Sequence, residues 1–361
     1  MTRIIILAGV LSLLCQSAIP SGPARAKSAS GRARIPDRTG TPYLGAIVVN
    51  AETGDVVFED NADAQCYPAS IIKLMDLLLI EEKIQQHTLT LSDKVPVTAH
   101  AARIGGSQVY LKEKEAFPLE ELLYALMVQS ANDAATALAL HIAGSTESFV
   151  GMMQEKADAL GMKQTAFHTV HGLPPAKDQE PDVSSPRDLV TLARALLKYP
   201  DALRYTSTQV RGFRNGTMEM RNHNRLLGSF DGCDGLKTGY FKLGGYSIVA
   251  TAKRGGNRFI SVVAGSKEKK VRDTKARELL SRAFSTAHPK AAAAPALEPS
   301  PRQPQASQRH PQMEKPAGSR GATKKLFLLV LVVAVGAALY VVWRRKGIPP
   351  TPPPGVHYQL K

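Results

Sequence analysis

Between residues 41 and 288 the chain switches between two apolar rhythms. Tyr43-Leu44-Gly45-Ala46-Ile47-Val48-Val49-Asn50 and Asp55-Val56-Val57-Phe58 are short runs rich in β-branched residues, and Glu52-Thr53-Gly54 between them supplies turn chemistry, which together predict a hairpin. From Ser70 onward apolar residues recur at helical spacing, over Ser70 to Ile84, Leu119 to Met127, Asn132 to Ala143, Thr146 to Leu160 and Pro186 to Leu197. Ser184 and Ser185 are candidate N-caps for the last of these. The strand rhythm then returns. Gly235 to Thr238, Gly245 to Ala252 and Arg258 to Ala264 predict consecutive strands, with Arg254-Gly255-Gly256-Asn257 turning the chain between the last two, and Asp273 to Phe284 predicts a closing helix. Strands at both ends of a helical middle predict an α+β body whose sheet is sewn from its two termini. There is no internal repeat.

The ends read differently. Arg3 precedes an apolar stretch from Ile4 to Leu14, and Ala24-Arg25-Ala26 places small residues at the spacing of a processing site, so 1–26 is expected to be a secretory signal peptide. That stretch is shorter than the ~20 apolar residues that span a bilayer, and Cys15 follows Leu13-Leu14 rather than a small residue, which makes it part of the signal. Residues 289–323, rich in Ala, Pro, Gln, Ser and basic side chains, are expected to be a disordered linker whose charge suits anionic lipid or wall polymer. Leu326 to Trp343 is an uncharged run of 18 residues bracketed by Lys324-Lys325 and Arg344-Arg345-Lys346, which predicts a C-terminal transmembrane helix. Residues 344–361, with Ile348-Pro349-Pro350-Thr351-Pro352-Pro353-Pro354, would be a proline-rich cytoplasmic tail. The organisation implied is a single-pass protein of the cell membrane with its body, 41–288, on the extracytoplasmic (periplasmic) side.

Composition changes one part of this picture. The net charge of +15 over 361 residues raises nucleic acid as a partner, but the flanks 1–40, 290–325 and 344–361 hold 17 basic and three acidic residues. The body keeps 29 basic and 28 acidic ones, no excess for a phosphate backbone, so no nucleic-acid partner is expected. The nine histidines show no ligand spacing such as H-E-x-x-H, so neither a metal nor another cofactor is expected.

Candidate chemistry begins at Pro68-Ala69-Ser70-Ile71-Ile72-Lys73. A lysine three residues after a serine at a helix start returns to the same face and reaches the hydroxyl. A serine hydroxyl needs such a base, and an amine serves once burial and a second cation have removed its proton. Alone, the pattern is more often a serine cap followed by an exposed lysine. Here Ser130-Ala131-Asn132 follows at a predicted helix junction and Lys237-Thr238-Gly239 opens a strand. S-x-x-K, S-x-N and K-T-G in that order are shared by penicillin-binding proteins and class A β-lactamases.

With Ala102-Arg103-Ile104-Gly105-Gly106-Ser107-Gln108-Val109-Tyr110-Leu111, Asn132-Asp133-Ala134-Ala135, His171-Gly172-Leu173-Pro174 and Asp234-Gly235-Leu236-Lys237-Thr238-Gly239-Tyr240, the body resembles the D-alanyl-D-alanine carboxypeptidases among the low-molecular-mass penicillin-binding proteins. The resemblance implies a three-layer α/β/α body of β-lactamase/transpeptidase type, with an antiparallel sheet and a helical subdomain. It implies as partners peptidoglycan stem peptides ending in D-Ala-D-Ala, with β-lactams as inhibitors. Catalytic roles fall to Ser70 as nucleophile, Lys73 as base and Ser130 as the proton bridge to the leaving amine. Substrate binding falls to Asn132, Lys237, Thr238, Gly239 and Tyr240, with the backbone N–H groups of Ser70 and Tyr240 as the oxyanion hole. Ile71, Ile72, Ala131 and Phe241 depart from the residues usual in that family, and the linker from 289 predicts that the small β-domain many members carry is absent.

Other residues stay with plainer readings. His171 is expected to fix a turn, Arg103 with Gly105-Gly106 fits either a substrate rim or a structural turn, and Cys66 and Cys233 could be bonded or free. No protein partner is identifiable. Three alternatives to a carboxypeptidase remain in view. A D,D-endopeptidase would use the same residues. A class A-like β-lactamase would need a deacylating glutamate, which Glu180-Pro181-Asp182-Val183 echoes without the usual asparagine. A non-catalytic membrane scaffold would not need the intact motif set.

Overall fold

The structure is a computed structural model and describes residues 40–287. The predicted hairpin forms β1 (Gly45–Asn50) and β2 (Val56–Asp60). A 3₁₀ turn, Ala69–Ile72, leads into α1 (Lys73–Gln85), so the first predicted helix begins with a tighter turn than expected. Short elements that the apolar pattern missed follow, β3 (Lys94–Pro96), α2 (Ala99–Arg103) and β4 (Ala116–Pro118), with β3 and β4 paired antiparallel.

The predicted helix over 119–127 is not continuous. It is α3 (Leu119–Tyr124) followed by a widened π turn, Ala125–Gln129, that ends on Ser130 in the left-handed region at φ 60°. The N–H groups of Ser130 and Ala131 both converge on the Ala125 carbonyl, which swings the chain so that α4 (Asn132–Ala143) starts in a new direction. Next come α5 (Thr146–Ala159) and α6 (Pro186–Leu196). Of the two serines before α6, Ser185 is the cap, accepting from the Asp188 N–H, while Ser184 is buried against Cys66 and Thr165. After α7 (Ala202–Thr206) and the antiparallel pair β5 (Val210–Phe213) and β6 (Met218–Arg221), the three predicted strands appear as β7 (Cys233–Phe241), β8 (Gly245–Arg254) and β9 (Asn257–Ser266). The closing helix, α8 (Lys269–Thr286), starts four residues earlier than expected.

The main sheet has the order β2-β1-β9-β8-β7, antiparallel throughout. The N-terminal strand is held between its hairpin partner and β9, as an α+β body sewn from both ends requires. Period-two alternation separates two apolar layers. Ala46, Val48, Ile248, Ala250 and Val263 face Ala276, Leu279, Leu280 and Ala283 of α8, whereas Ile47, Val49, Val249, Ile260 and Val262 join the larger core built with α1, α4 and α6. Helices thus cover both faces of the sheet, and the fold is mixed α/β in three layers.

Among the described residues no helix is long and apolar enough to cross a membrane. The expected signal peptide, linker, transmembrane helix and cytoplasmic tail, and the expected absence of a further β-domain, lie outside the described residues.

Candidate active site

The 3₁₀ turn that carries Ser70 is wedged between β7 and the loop around residue 172. A Cβ on Gly239 would stand 2.3 Å from the Pro68 carbonyl oxygen, and one on Gly172, itself at φ +74°, would stand 2.3 Å from the Ala69 carbonyl. Both positions need glycine for the backbones to approach this closely. Ala69 enters the turn at φ 50°. Ile71 and Ile72, unusual in the motif, are fully buried beneath the turn.

Lys73 follows at the start of α1 and is fully buried. Its Nζ lies 3.2 Å from Ser70 Oγ, 2.7 Å from Asn132 Oδ1 and 2.8 Å from the His171 carbonyl oxygen. A neutral amine has two N–H donors and one lone pair, so it satisfies this set by donating to Asn132 and His171 while accepting the Ser70 hydroxyl proton. Burial lowers the Lys73 pKa to about 7, against the opposing pull of Asp76, Asp133 and Asp182. A base poised near neutrality beside a serine hydroxyl is the central feature of the site.

The other motif residues lie in or beside the same cleft. Ser130 is buried and lines the cleft, yet it is not among the three partners of Lys73. Asn132, expected to bind substrate, is engaged at both ends, its oxygen by Lys73 and its Nδ2 donating to the Gly105 carbonyl at 2.8 Å. Lys237 is buried behind the wall, its Nζ donating to the Thr238 carbonyl at 3.2 Å, and burial together with Lys73 and Arg272 pushes its pKa well down. Thr238, Gly239 and Tyr240 do line the cleft, whose volume is about 540 Å³. Tyr240 projects into solvent and stacks on Tyr246 with ring centroids 4.1 Å apart, while Phe241 packs on Tyr67.

Several contributors carried no sequence signal. His171 fixes its turn as expected, its Nδ1 accepting from the Leu173 N–H, but its carbonyl also holds the base. Burial and Lys73 push the His171 imidazole down to about 4, which keeps it neutral. Arg272, Lys269 and His223 line the end of the cleft near Thr238, and Arg272 is almost wholly buried. Arg272 and Lys269 add positive charge beside Lys237 and Thr238, the pair expected to hold a carboxylate, while His223, pushed down to about 4 by burial and Lys237, stays neutral.

The plainer readings also resolve. Arg103 donates from Nε to the Ala99 carbonyl of its own helix, a structural role. Cys66 and Cys233 are both free, and burial raises their thiol pKa values to about 12 and about 11, far from a reactive thiolate. Glu180 is exposed and outside the cleft lining. Its neighbour Asp182 is buried, accepting from the His168 and Thr169 N–H groups and the Thr169 hydroxyl, so this loop presents no water-activating carboxylate to Ser70. No cluster of metal-ligating side chains occurs among the described residues.

A sequence profile of the D-alanyl-D-alanine carboxypeptidases matches residues 44–268. The chain is 37% identical over 243 residues to D-alanyl-D-alanine carboxypeptidase DacF of Bacillus subtilis, covering 66% of this chain and 61% of that protein. It is 35% identical over 246 residues to DacC of Escherichia coli, covering 66% and 60%. The match therefore spans about three fifths of the length of these relatives. Penicillin-Binding Protein D2 of Listeria monocytogenes in its ampicillin-bound form superposes with a TM-score of 0.62 at 32% identity, over 67% of this chain and 97% of that one. DacD of Francisella tularensis gives 0.64 at 28% identity, over 72% and 75%. With Ser70, Ser130 and Thr238 lining one cleft and Lys73 buried against Ser70 on this fold, the chain belongs to the D-alanyl-D-alanine carboxypeptidase family of low-molecular-mass penicillin-binding proteins.

Proposed function

We propose that the protein is a serine-type D-Ala-D-Ala carboxypeptidase that removes the terminal D-alanine from peptidoglycan stem peptides through an acyl-enzyme on Ser70. The observation that carries this reading is the buried Lys73 amine, 3.2 Å from Ser70 Oγ, with its other two contacts on Asn132 and His171. Ser70 Oγ attacks the carbonyl of the penultimate D-alanine as its proton passes to Lys73. The backbone N–H groups of Ser70 and Tyr240 take the oxyanion, each such donor lowering the barrier by about 3 kcal/mol. Ser130, at the cleft edge of the π turn, relays the proton to the departing amine, since a hydroxyl donates and accepts at once. Thr238, with Arg272 and Lys237 behind it, receives the terminal carboxylate, and the positive field there also discourages protonation of Lys73. Water then hydrolyses the ester.

β-Lactams would acylate the same serine, as the ampicillin-bound Listeria relative suggests. The signal-like 1–26, the linker 289–323, the apolar run 326–343 and the basic Arg344-Arg345-Lys346 support a single-pass membrane protein with this body facing the wall. The test is intact mass against time for the full chain with benzylpenicillin, beside Ser70→Ala, followed by D-alanine release from a pentapeptide ending in D-Ala-D-Ala. A persistent adduct absent from Ser70→Ala, with D-alanine released, is the expected result. No adduct with the drug intact would point to a scaffold, and rapid consumption of the drug to a β-lactamase. Release from cross-linked dimers in preference to pentapeptides would make it an endopeptidase.

A further inference from the structure

Five consecutive residues, Thr238 to Lys242, line the cleft, so one of its walls is β7 itself, followed past Ser70 into the turn toward β8. The charges on the lining are of one sign. Lys269 and Arg272 stand at the Thr238 end, Lys242 ends the β7 wall, His223 is neutral, and no aspartate or glutamate lines the cleft among the described residues. The first two cations suit the terminal carboxylate, and Arg272 is also committed to Asp273, donating from Nε at 2.8 Å. Lys242 has no such explanation. It is exposed, it takes part in no ion pair among the described residues, and the reaction above makes no use of it.

The turn that carries Lys242 is fixed relative to the nucleophile. Phe241 packs on Tyr67, three residues before Ser70, with ring centroids 5.5 Å apart. A Cβ on Gly244 would stand 3.1 Å from the Tyr67 Cβ and 3.2 Å from the Phe241 ring, so the turn lies close against both. Tyr240 stacks on Tyr246 across the two strands that the turn joins. The backbone at Lys242 is thus tied to the segment that presents Ser70, and only the side chain is free to move.

The direction of β7 decides which part of a substrate meets that side chain. At ~3.3 Å per residue, Lys242 lies about 7 Å along the wall from Tyr240, on the side away from Thr238. With the attacked carbonyl at the Tyr240 N–H and the terminal D-alanine running toward Thr238, the residue before the D-Ala-D-Ala pair has to run the other way. An extended residue spans ~3.3–3.6 Å, which brings its side chain within reach of a lysine ammonium on a flexible stem. An ammonium without a protein acid to pair with suits an anion that the ligand itself brings.

We propose that Lys242 is a substrate-binding residue that selects peptides carrying a side-chain carboxylate on the residue before the D-Ala-D-Ala pair. The inference rests on the carboxypeptidase reading above and adds to it a second anionic subsite, at the opposite end of the β7 wall from the terminal carboxylate. No bond is made or broken there. The ammonium holds the carboxylate and so lowers KM.

The experiment measures D-alanine release by the full chain from acetyl-L-Glu-D-Ala-D-Ala and acetyl-L-Gln-D-Ala-D-Ala, which differ in charge and hardly in shape. Within one preparation the ratio of kcat/KM for the two peptides is independent of the folded fraction. The wild type should prefer the glutamate peptide by about fivefold, the scale of one exposed ion pair, with the difference in KM. Lys242→Ala should bring the ratio to about one, and Lys242→Glu should invert it by setting like charges against each other. Salt at about 0.5 M should shrink the wild-type preference. Lys253→Ala, which removes an exposed lysine of β8 outside the cleft, should keep the wild-type ratio. A ratio that falls only when Lys242 is changed supports the proposal. A wild-type ratio of one or less, a ratio that Lys242→Ala leaves alone, or an equal fall in Lys253→Ala overturns it, while the D-alanine released keeps the carboxypeptidase reading standing. No D-alanine from either peptide overturns that reading and the inference with it.

Discussion

On one face of the sheet, Leu279 and Leu280 of α8 press against Val48, Ile248 and Val263 in an apolar layer. On the other, the layer that α1 and α4 complete also buries Lys73, Asp76 and Asp133, with Asp182 and Lys237 nearby. The first face contributes stability chiefly through area and fit, although α8 also brings the buried Arg272 to the end of the cleft. The second gives some of that stability up, because each charge taken from water is costly, and obtains an amine that is about half deprotonated near pH 7. The buried titratable groups near Ser70 thus lie mostly on one side of the sheet and plain apolar packing mostly on the other.

That division can be tested by perturbing each side. Ser70→Ala should abolish acylation altogether, read as the absence of any mass adduct with benzylpenicillin. Lys73→Met should cut the acylation rate by about a thousandfold, yet give a protein that resists urea at least as well as the wild type, since a buried amine is replaced by an apolar chain of similar length. Leu279→Ala should do the reverse. It should cost about 2 to 5 kcal/mol in urea unfolding and leave the acylation rate per folded molecule unchanged.

The pH dependence of stability sharpens the same contrast. Lys73 binds its proton near 10.5 when unfolded and near 7 when folded. Between those values the unfolded chain carries a proton the native one lacks, so the contribution of Lys73 makes stability rise with pH from 7 to 10.5, and below 7 its penalty is constant. Unfolding curves across that window should slope upward relative to Lys73→Met, whereas Leu279→Ala should run parallel to the wild type. Acylation should fade as pH drops below about 7, where Lys73 takes up its proton. The smallest effect is expected at Ser185→Ala, which removes the α6 cap and should cost about 1 kcal/mol with no change in reaction rate.

How much of this was legible in the chain depended on whether side chains or backbone did the work. Ser70 and Lys73 are found by spacing, because a helical turn fixes which side chains meet, and Asn132 by the S-x-N motif. The central strands of the sheet and α4 to α6 follow from apolar rhythm. The His171 carbonyl that holds Lys73 carries no sequence mark, since every residue has a carbonyl. The break at Ala125–Gln129 was hidden because its residues are as apolar as a helix face should be. Arg272 sits in the run Lys269-Lys270-Val271-Arg272, where sequence shows only a solvated basic helix start, and it took the packing of α8 against β8 and β9 to bury it beside the cleft. The strand pairs β3–β4 and β5–β6 are too short for a two-residue period to register.

The seating of the nucleophile turn between Gly172 and Gly239 has an evolutionary consequence. At both positions any added side chain would collide with the backbone that presents Ser70, so, if the chain binds β-lactams as proposed, a substitution here that excluded the drug would also displace the serine. On that proposed function, recognition is open to change at the rim, where Tyr240 stands in solvent and Leu173 and Tyr246 line the cleft.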